Sequence, residues 1–371
     1  MTELFRNISE IGARFAIGGT FIEGREIEDG LINTTYLASY ENEEGEVSRY
    51  ILQRINEQVF PEPLVVMRNI EHVTKHINRK VLSAKHDFSG QTLNLYPSRE
   101  GENCVEGPAG GIWRCYNFIE GCRTYDVVEN SHQAFQAAKA FGAFQDLLSD
   151  LPVEKVSVTI PGFHDTAARY ARLLEAIAKD SEGRVAEVQD EIDFITSREE
   201  MTEVLLEHLR EGRLVERITH NDTKLNNVMI DEKSDEAVCV IDLDTVMPGL
   251  ALYDFGDLVR SSTSPVDEDE KDLSKVEMRM PMFEALVDGY MGMAHKFLSP
   301  LEIELLPFSG KLISLETGIR FLSDFLEGDG YFKTRYATHN LDRCRAQLAL
   351  VKSIEEQEDE MMSVVKKWIP S

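Results

Sequence analysis

No run of roughly 18 consecutive apolar residues occurs anywhere in the 371-residue chain, so the sequence offers no membrane-spanning helix. The first fifteen residues carry Glu3, Arg6, Glu10 and Arg14 among their apolar positions, and this breaks the apolar core a signal peptide needs. Cysteine is scarce. Cys104, Cys115, Cys122, Cys239 and Cys344 are odd in number and form no CxxC pair, which argues against a disulfide framework or a cysteine zinc site and fits a reducing, cytoplasmic location. Basic charge is also in short supply. Thirty-nine Lys and Arg face 66 Asp and Glu, for a formal charge of -27. Such a surface repels a nucleic-acid backbone and an anionic membrane, but it does not exclude a nucleotide ligand, which needs only one basic pocket and a cation. What remains is an ordinary globular composition, 42% hydrophobic and 28% charged, long enough for two domains with sizeable cores.

Along the chain the first third reads mainly as strands. Residues 31–40 and 49–56 are rich in β-formers and flank an acidic turn. Residues 61–79 read as a helix entered through Pro63, with Val66, Ile70, Val73 and Ile77 at helical spacing. Further strands are expected at 93–96 and 111–119. The character changes near residue 120. Helices are expected at 131–151, at 166–179 and from Ser197, as N-cap, to Gly212. Two short apolar runs, 227–230 and 237–243, are split by a turn, and most of 275–368 is helical. The layout predicts an α+β protein: a β-rich lobe with one main helix over residues 1–119, then a larger, mainly helical lobe over 120–371 that holds a small β insertion.

The informative stretch is ITHNDTKLNNVMIDEKSDEAVCVIDLDT, residues 218–245. It places His220, Asp222 and Asn227 in one loop and Asp242 on the second strand of the hairpin that follows. An Asp, an Asn five residues on and a second Asp folded back beside it suit phosphoryl transfer. The first Asp orients the attacking hydroxyl and accepts its proton, while the Asn and the second Asp offer hard oxygens to magnesium on the nucleotide phosphates. His, Asp and Asn each make up a few per cent of average chains, so the triplet arises by chance in roughly one or two such chains in a hundred, and with the strand Asp in about one in a thousand. His220 is read as a structural imidazole that ties down the loop. Asp254-Phe255-Gly256 spells the metal-binding tripeptide of protein kinases, but it lies 32 residues after Asp222. Asp254 is therefore read as a helix cap or a brace behind the site.

On these residues the chain resembles the aminoglycoside phosphotransferase and choline kinase superfamily, and within it the N-acetylhexosamine 1-kinase group. The matching text is DGLINTTYL (29–37), YILQRINEQVF (50–60), THNDTKLNNVM (219–229), VIDLDTVMPG (240–249), YDFGDLVR (253–260), and RFLSDFLEGDGYFK with HNLDRCRAQ between 320 and 347. The resemblance implies a protein-kinase-like two-lobed fold, ATP and Mg2+ as cofactors, and a sugar as acceptor, with the anomeric hydroxyl of an N-acetylhexosamine as its target. It also implies that Gly30, Asn33 and Thr34 cover the nucleotide phosphates, and that Phe118 and its neighbours meet the purine edge. Gln53 stands where relatives carry a basic residue, with Arg54 beside it as the charged alternative and Glu71 as a possible ion-pair partner. Arg320 and Tyr331 are the implied sugar contacts, and Ser261-Ser262 stands where an aromatic would be expected in hexosamine enzymes. Three other readings stay open: a kinase for an aminoglycoside, choline, homoserine or another sugar; a nucleotide-binding pseudokinase; and a metal-dependent phosphohydrolase.

Overall fold

The computed structural model describes residues 3–27, 32–83, 92–125 and 127–370, without the side chains of 3–5. In chain order the elements are α1 (Glu3–Gly12), β1 (Thr20–Ile27), β2 (Thr34–Glu41), β3 (Val47–Arg54), α2 (Pro63–Leu82), β4 (Val105–Glu106), β5 (Ile112–Asn117), β6 (Cys122–Arg123), α3 (Ser131–Leu148), α4 (Thr166–Lys179), α5 (Gln189–Thr196) and α6 (Val204–Arg210). They continue with β7 (Arg217–Thr219), β8 (Val228–Asp231), β9 (Ala237–Val240), β10 (Met247–Gly249), α7 (Ala251–Ser262), α8 (Met280–Ala294), α9 (Pro300–Glu304), α10 (Leu306–Leu326), α11 (His339–Glu356) and α12 (Glu358–Lys366).

β1 to β5 form one antiparallel sheet in the order β1-β2-β3-β5-β4. Side chains on a strand alternate between faces, and the two faces of this sheet do different jobs. Ala38, Tyr40, Tyr50, Leu52 and Cys115 turn one way and close a small core with Ile8, Ile11 and Phe15 at the N-terminal end. Ile51 and Tyr116 turn the other way, toward α2 and the main core. That core runs through α3, α7 and α8, and a second apolar cluster joins α4, α5, α10 and α11. β6, β8 and β9 form a second, three-stranded sheet in the order β6-β8-β9, and β7 pairs with β10.

The expected α+β division is present, with three local corrections. α1 and β1 have no counterpart in the sequence reading, because β1 is a largely exposed edge strand whose pattern does not alternate cleanly. Residues 93–96 make only one isolated bridge, Leu95 to Tyr116, so they are not a strand. Ser197 ends α5 and does not cap a following helix. The fully buried Val188 and Ile195 anchor that earlier helix.

Candidate active site

The site is built where the sheet meets the β8–β9 hairpin. Register brings the predicted residues together. Val228 pairs with Val240, and one step outward the Ile241 N–H donates to the Asn227 carbonyl at 2.9 Å. Asn227, just before β8, is thereby set beside Asp242, just after β9. Asn227 also donates its Nδ2 to the Asp222 carbonyl at 2.9 Å and to Asp222 Oδ2 at 3.1 Å. Lys224 Nζ lies 3.2 Å from Asp222 Oδ1, and the charge of Asp222 raises the Lys224 pKa. The three oxygen-bearing side chains thus share one place in the fold.

Asp242 adopts a left-handed backbone at φ 59°, a conformation Asp tolerates better than most residues. Its side chain opens to solvent, yet it sits deep among protein atoms. Burial pushes its carboxyl up to about 7, with the negative charges of Asp244 and Asp222 adding to the effect. Asp222 is paired with Lys224 and Asp244 with Arg114, whereas Asp242 has no protein cation paired with it among the described residues. Asp242, with the Asn227 Oδ1 that the amide's N–H bonds leave over, is a donor set that suits magnesium. Among the described residues, no group of three His, Cys, Asp or Glu side chains forms a metal cage.

The loop carrying Asp222 is braced from behind. Asp254, fully buried on the first turn of α7, accepts from the His220 N–H at 2.9 Å, the Asn221 N–H at 2.7 Å and Gln145 Nε2 at 2.6 Å. Asp257, one turn on, accepts from the Thr223 N–H at 2.7 Å and is paired with Arg260 at 2.8 Å. The tripeptide at 254–256 is therefore a brace, and Asp254 lies inside the helix instead of capping it. His220 is also structural. It is wholly buried, its ring stands edge-on to Phe141 and Phe144, and its Nε2 bonds the Ile241 carbonyl at 2.9 Å.

The predicted nucleotide residues are placed unevenly. Asn33 accepts from the Asn56 N–H at 2.9 Å and donates to Asp244 Oδ2 at 2.6 Å, so its side chain ties the sheet to the hairpin. Thr34 opens β2 and is exposed. Gln53 and Arg54 point to opposite faces of β3. Gln53 accepts from Arg114, whereas Arg54 lies against Gly111 on the far side. Phe118 lies under the Arg49 guanidinium at 4.6 Å, and its N–H donates to the Arg49 carbonyl. Gly30 lies outside the described residues.

At the acceptor end, Arg320 on α10 lies between two rings, 5.5 Å from the centroids of both Phe163 and Phe332. The Asp324 carboxylate, one turn on, accepts from the Tyr331 and Phe332 N–H groups and from Asn340, fixing the loop after α10. Tyr331 is 61% exposed, open to a ligand. Three further groups here carry no local sequence signal. His164 bonds Glu316 through Nδ1 at 2.9 Å and leaves a buried, unpartnered Nε2. Arg169 has a buried, unpartnered Nε, and burial followed by repulsion from Arg320 lowers its pKa. Glu316 also accepts from the Thr166 hydroxyl at 2.6 Å. Asp257 accepts from the Thr223 N–H and so holds the loop of Asp222 in place.

Known proteins share this architecture. An aminoglycoside phosphotransferase from Alicyclobacillus acidocaldarius superposes with a TM-score of 0.58 at 10% identity, over 97% of this chain and 95% of its own. Amicoumacin kinase hAmiN, seen with AMP-PNP, Ca2+ and Ami, gives 0.55 at 16% identity over 91% of each chain. Choline kinase from Cryptosporidium parvum gives 0.54 at 16% identity over 98% of each chain. At such identities these likenesses concern the fold. Sequence carries the assignment further, because residues 23–275 match the profile of the phosphotransferase enzyme family. The chain belongs to that family and is accordingly an ATP-dependent phosphotransferase with a hydroxyl acceptor.

Proposed function

We propose that the protein transfers the γ-phosphoryl of ATP to a sugar hydroxyl, with the anomeric hydroxyl of an N-acetylhexosamine as the acceptor and Mg2+ as the metal. One observation carries the choice of acceptor. The patch of Phe163, His164, Arg169, Arg320, Tyr331 and Phe332 presents cations, an imidazole and aromatic faces, and three carboxylates beside it already accept hydrogen bonds from the protein. Glu316 is taken up by His164 and Thr166, Asp324 by two backbone amides and Asn340, and Asp257 by Thr223 and Arg260. A cationic acceptor such as choline or an aminoglycoside would meet the like charges of Arg169 and Arg320 in this patch. An uncharged, oxygen-rich ring suits forked N–H donors and stacking surfaces.

In this reading Asp222 holds the acceptor hydroxyl and takes its proton as the bond to phosphorus forms. Asn227 and Asp242 would hold Mg2+, which when bound would neutralise charge on the phosphates. A loose transition state asks mainly for positioning and charge stabilisation, and the braces from Asp254 and Asp257 supply a rigid loop for it.

A panel of acceptors with ATP and Mg2+, followed by ADP release, tests the proposal. N-acetylhexosamines should be turned over, choline, homoserine and aminoglycosides should not, and 31P NMR should show an anomeric phosphate. Preference for a cationic acceptor would overturn the reading of the patch. Equal ADP release with no acceptor would make the protein a hydrolase, and no release with any acceptor would leave a nucleotide-binding module.

A further inference from the structure

Kinase-like folds pair a basic residue on the third strand with a Glu on the helix that follows, and that basic residue holds the nucleotide phosphates. Neither partner stands in its place here. The third strand offers Gln53, and Glu71 on α2 is paired with Lys75 on its own helix. The missing pair is rebuilt from other elements. Gln53 lies directly opposite Arg114 on β5 and opposite Thr35 on β2, so the three side chains form one row on one face of the sheet. Within that row Thr35 Oγ1 accepts from Gln53 Nε2 at 2.9 Å, while Gln53 Oε1 accepts from Arg114 Nε at 2.9 Å and Nη2 at 2.6 Å. Arg114 Nη1 donates to Asp244, two residues after the metal-binding candidate Asp242. Arg114 is 1% exposed and Asp244 3%.

We propose that Arg114 supplies the phosphate-facing positive charge of the nucleotide site, with Asp244 as its counter-ion in place of a helix Glu. This inference rests on the kinase reading above. Four observations support it. Among the described residues of β2, β3 and β5, the cations on this face are Arg49 and Arg114, and Arg49 is paired with Glu120 over Phe118. Arg54, the other basic residue at hand, is on the opposite face. A guanidinium has five N–H donors, and the bonds to Gln53 and Asp244 engage three of them, which leaves donors for a phosphate oxygen. Arg114 also bonds Asp244, two residues from Asp242, which puts its charge beside the candidate metal ligand. Gln53, held by Thr35, becomes the residue that aims the guanidinium.

The test compares a ligand with phosphates and one without. Mg-ADP and adenosine are titrated calorimetrically into the wild type and into the Arg114→Met/Asp244→Asn pair, which removes the charge without leaving Asp244 buried and unpaired. The expected result is an ADP affinity about 10–100-fold lower, the size of lost hydrogen bonds to a charged group, with adenosine affinity unchanged. Adding Gln53→Lys, which returns a cation to the third strand, should recover most of the ADP affinity. Equal losses for ADP and adenosine, or no loss for ADP, would make Arg114 a strut between the lobes and overturn the inference. If the double variant does not fold, Arg114→Lys is read by the same comparison: a loss confined to ADP supports the role, and an equal loss overturns it. A wild type that binds neither ligand removes the kinase reading and this inference together. One that binds ADP but phosphorylates no sugar removes only the proposed acceptor.

Discussion

Asp222 has both carboxylate oxygens engaged, Oδ1 with Lys224 at 3.2 Å and Oδ2 with Asn227 at 3.1 Å. Each oxygen carries a second lone pair, so the contacts fix the rotamer and still leave a place for an acceptor hydroxyl. Asp254, which matches the kinase metal motif by its letters, has no such freedom, because three protein donors surround it. Its position in the chain, 32 residues after Asp222, sets it apart as well. Asp222→Ala should lower kcat roughly 10²–10⁴-fold, the usual range for removing a general base. KM for ATP and the melting temperature should change little, since the residue is partly exposed and, in the proposed reading, faces the acceptor and not the nucleotide. Steady-state kinetics beside a thermal melt decide this, and near-normal turnover would remove Asp222 from the mechanism.

At the scale of elements, the rigidity of the site comes from how closely helices approach behind it. α3 supplies Gln145 to Asp254, and it packs on α8 through Gly142 and Gly289. A Cβ on Gly289 would run into the Phe135 carbonyl oxygen, and one on Gly142 would come within 2.9 Å of the Tyr290 carbonyl oxygen. Backbone cannot give way as a flexible side chain does. Gly289→Ala should therefore destabilise the fold by about 1–3 kcal/mol, seen as a lower urea midpoint at an unchanged slope; an unchanged midpoint would show that α8 can shift freely. The elements themselves were largely legible in the sequence. The spacing of Val66, Ile70, Val73 and Ile77 gave α2, and the split apolar runs gave the β8–β9 hairpin, because each signal is local. Asp222, Asn227 and Asp242 were legible for the same reason, being joined by one short hairpin. Arg114 and Asp244 were not, since they meet only through the pairing of β3 with β5 and a contact 130 residues apart. His164 and Glu316 likewise meet across 152 residues. Ser197 misled because a Ser followed by Glu three residues later looks like a helix start even where it ends one.

Over the whole molecule, the excess of acid seen in the composition is not spread evenly in its effect. Burial pushes Asp242 up to about 7, aided by Asp244 and Asp222, and burial also raises Asp254. Burial would raise Asp257 and Glu316 as well, but Arg260 in one case and His164 in the other more than offset it and hold both below the ordinary carboxylate range. The two groups act on stability with opposite signs. A carboxyl with a raised pKa binds its proton more tightly in the folded state, so its contribution is full below the unfolded value of about 4 and is lost as pH rises through the folded one. A carboxyl with a lowered pKa contributes fully above about 4, and that contribution is lost as pH falls through its folded value. Self-repulsion from a formal charge of -27 also eases as acid titrates the surface. In metal-free buffer the melting temperature should therefore rise from pH 8 to a maximum near about pH 5–6 and fall steeply below about pH 4. Asp242→Asn should flatten the limb between pH 5 and 8 and leave the acid limb unchanged. A melting temperature that climbs steadily to pH 8 in the unsubstituted protein would mean that the Asp242 carboxyl is not held protonated in the folded state.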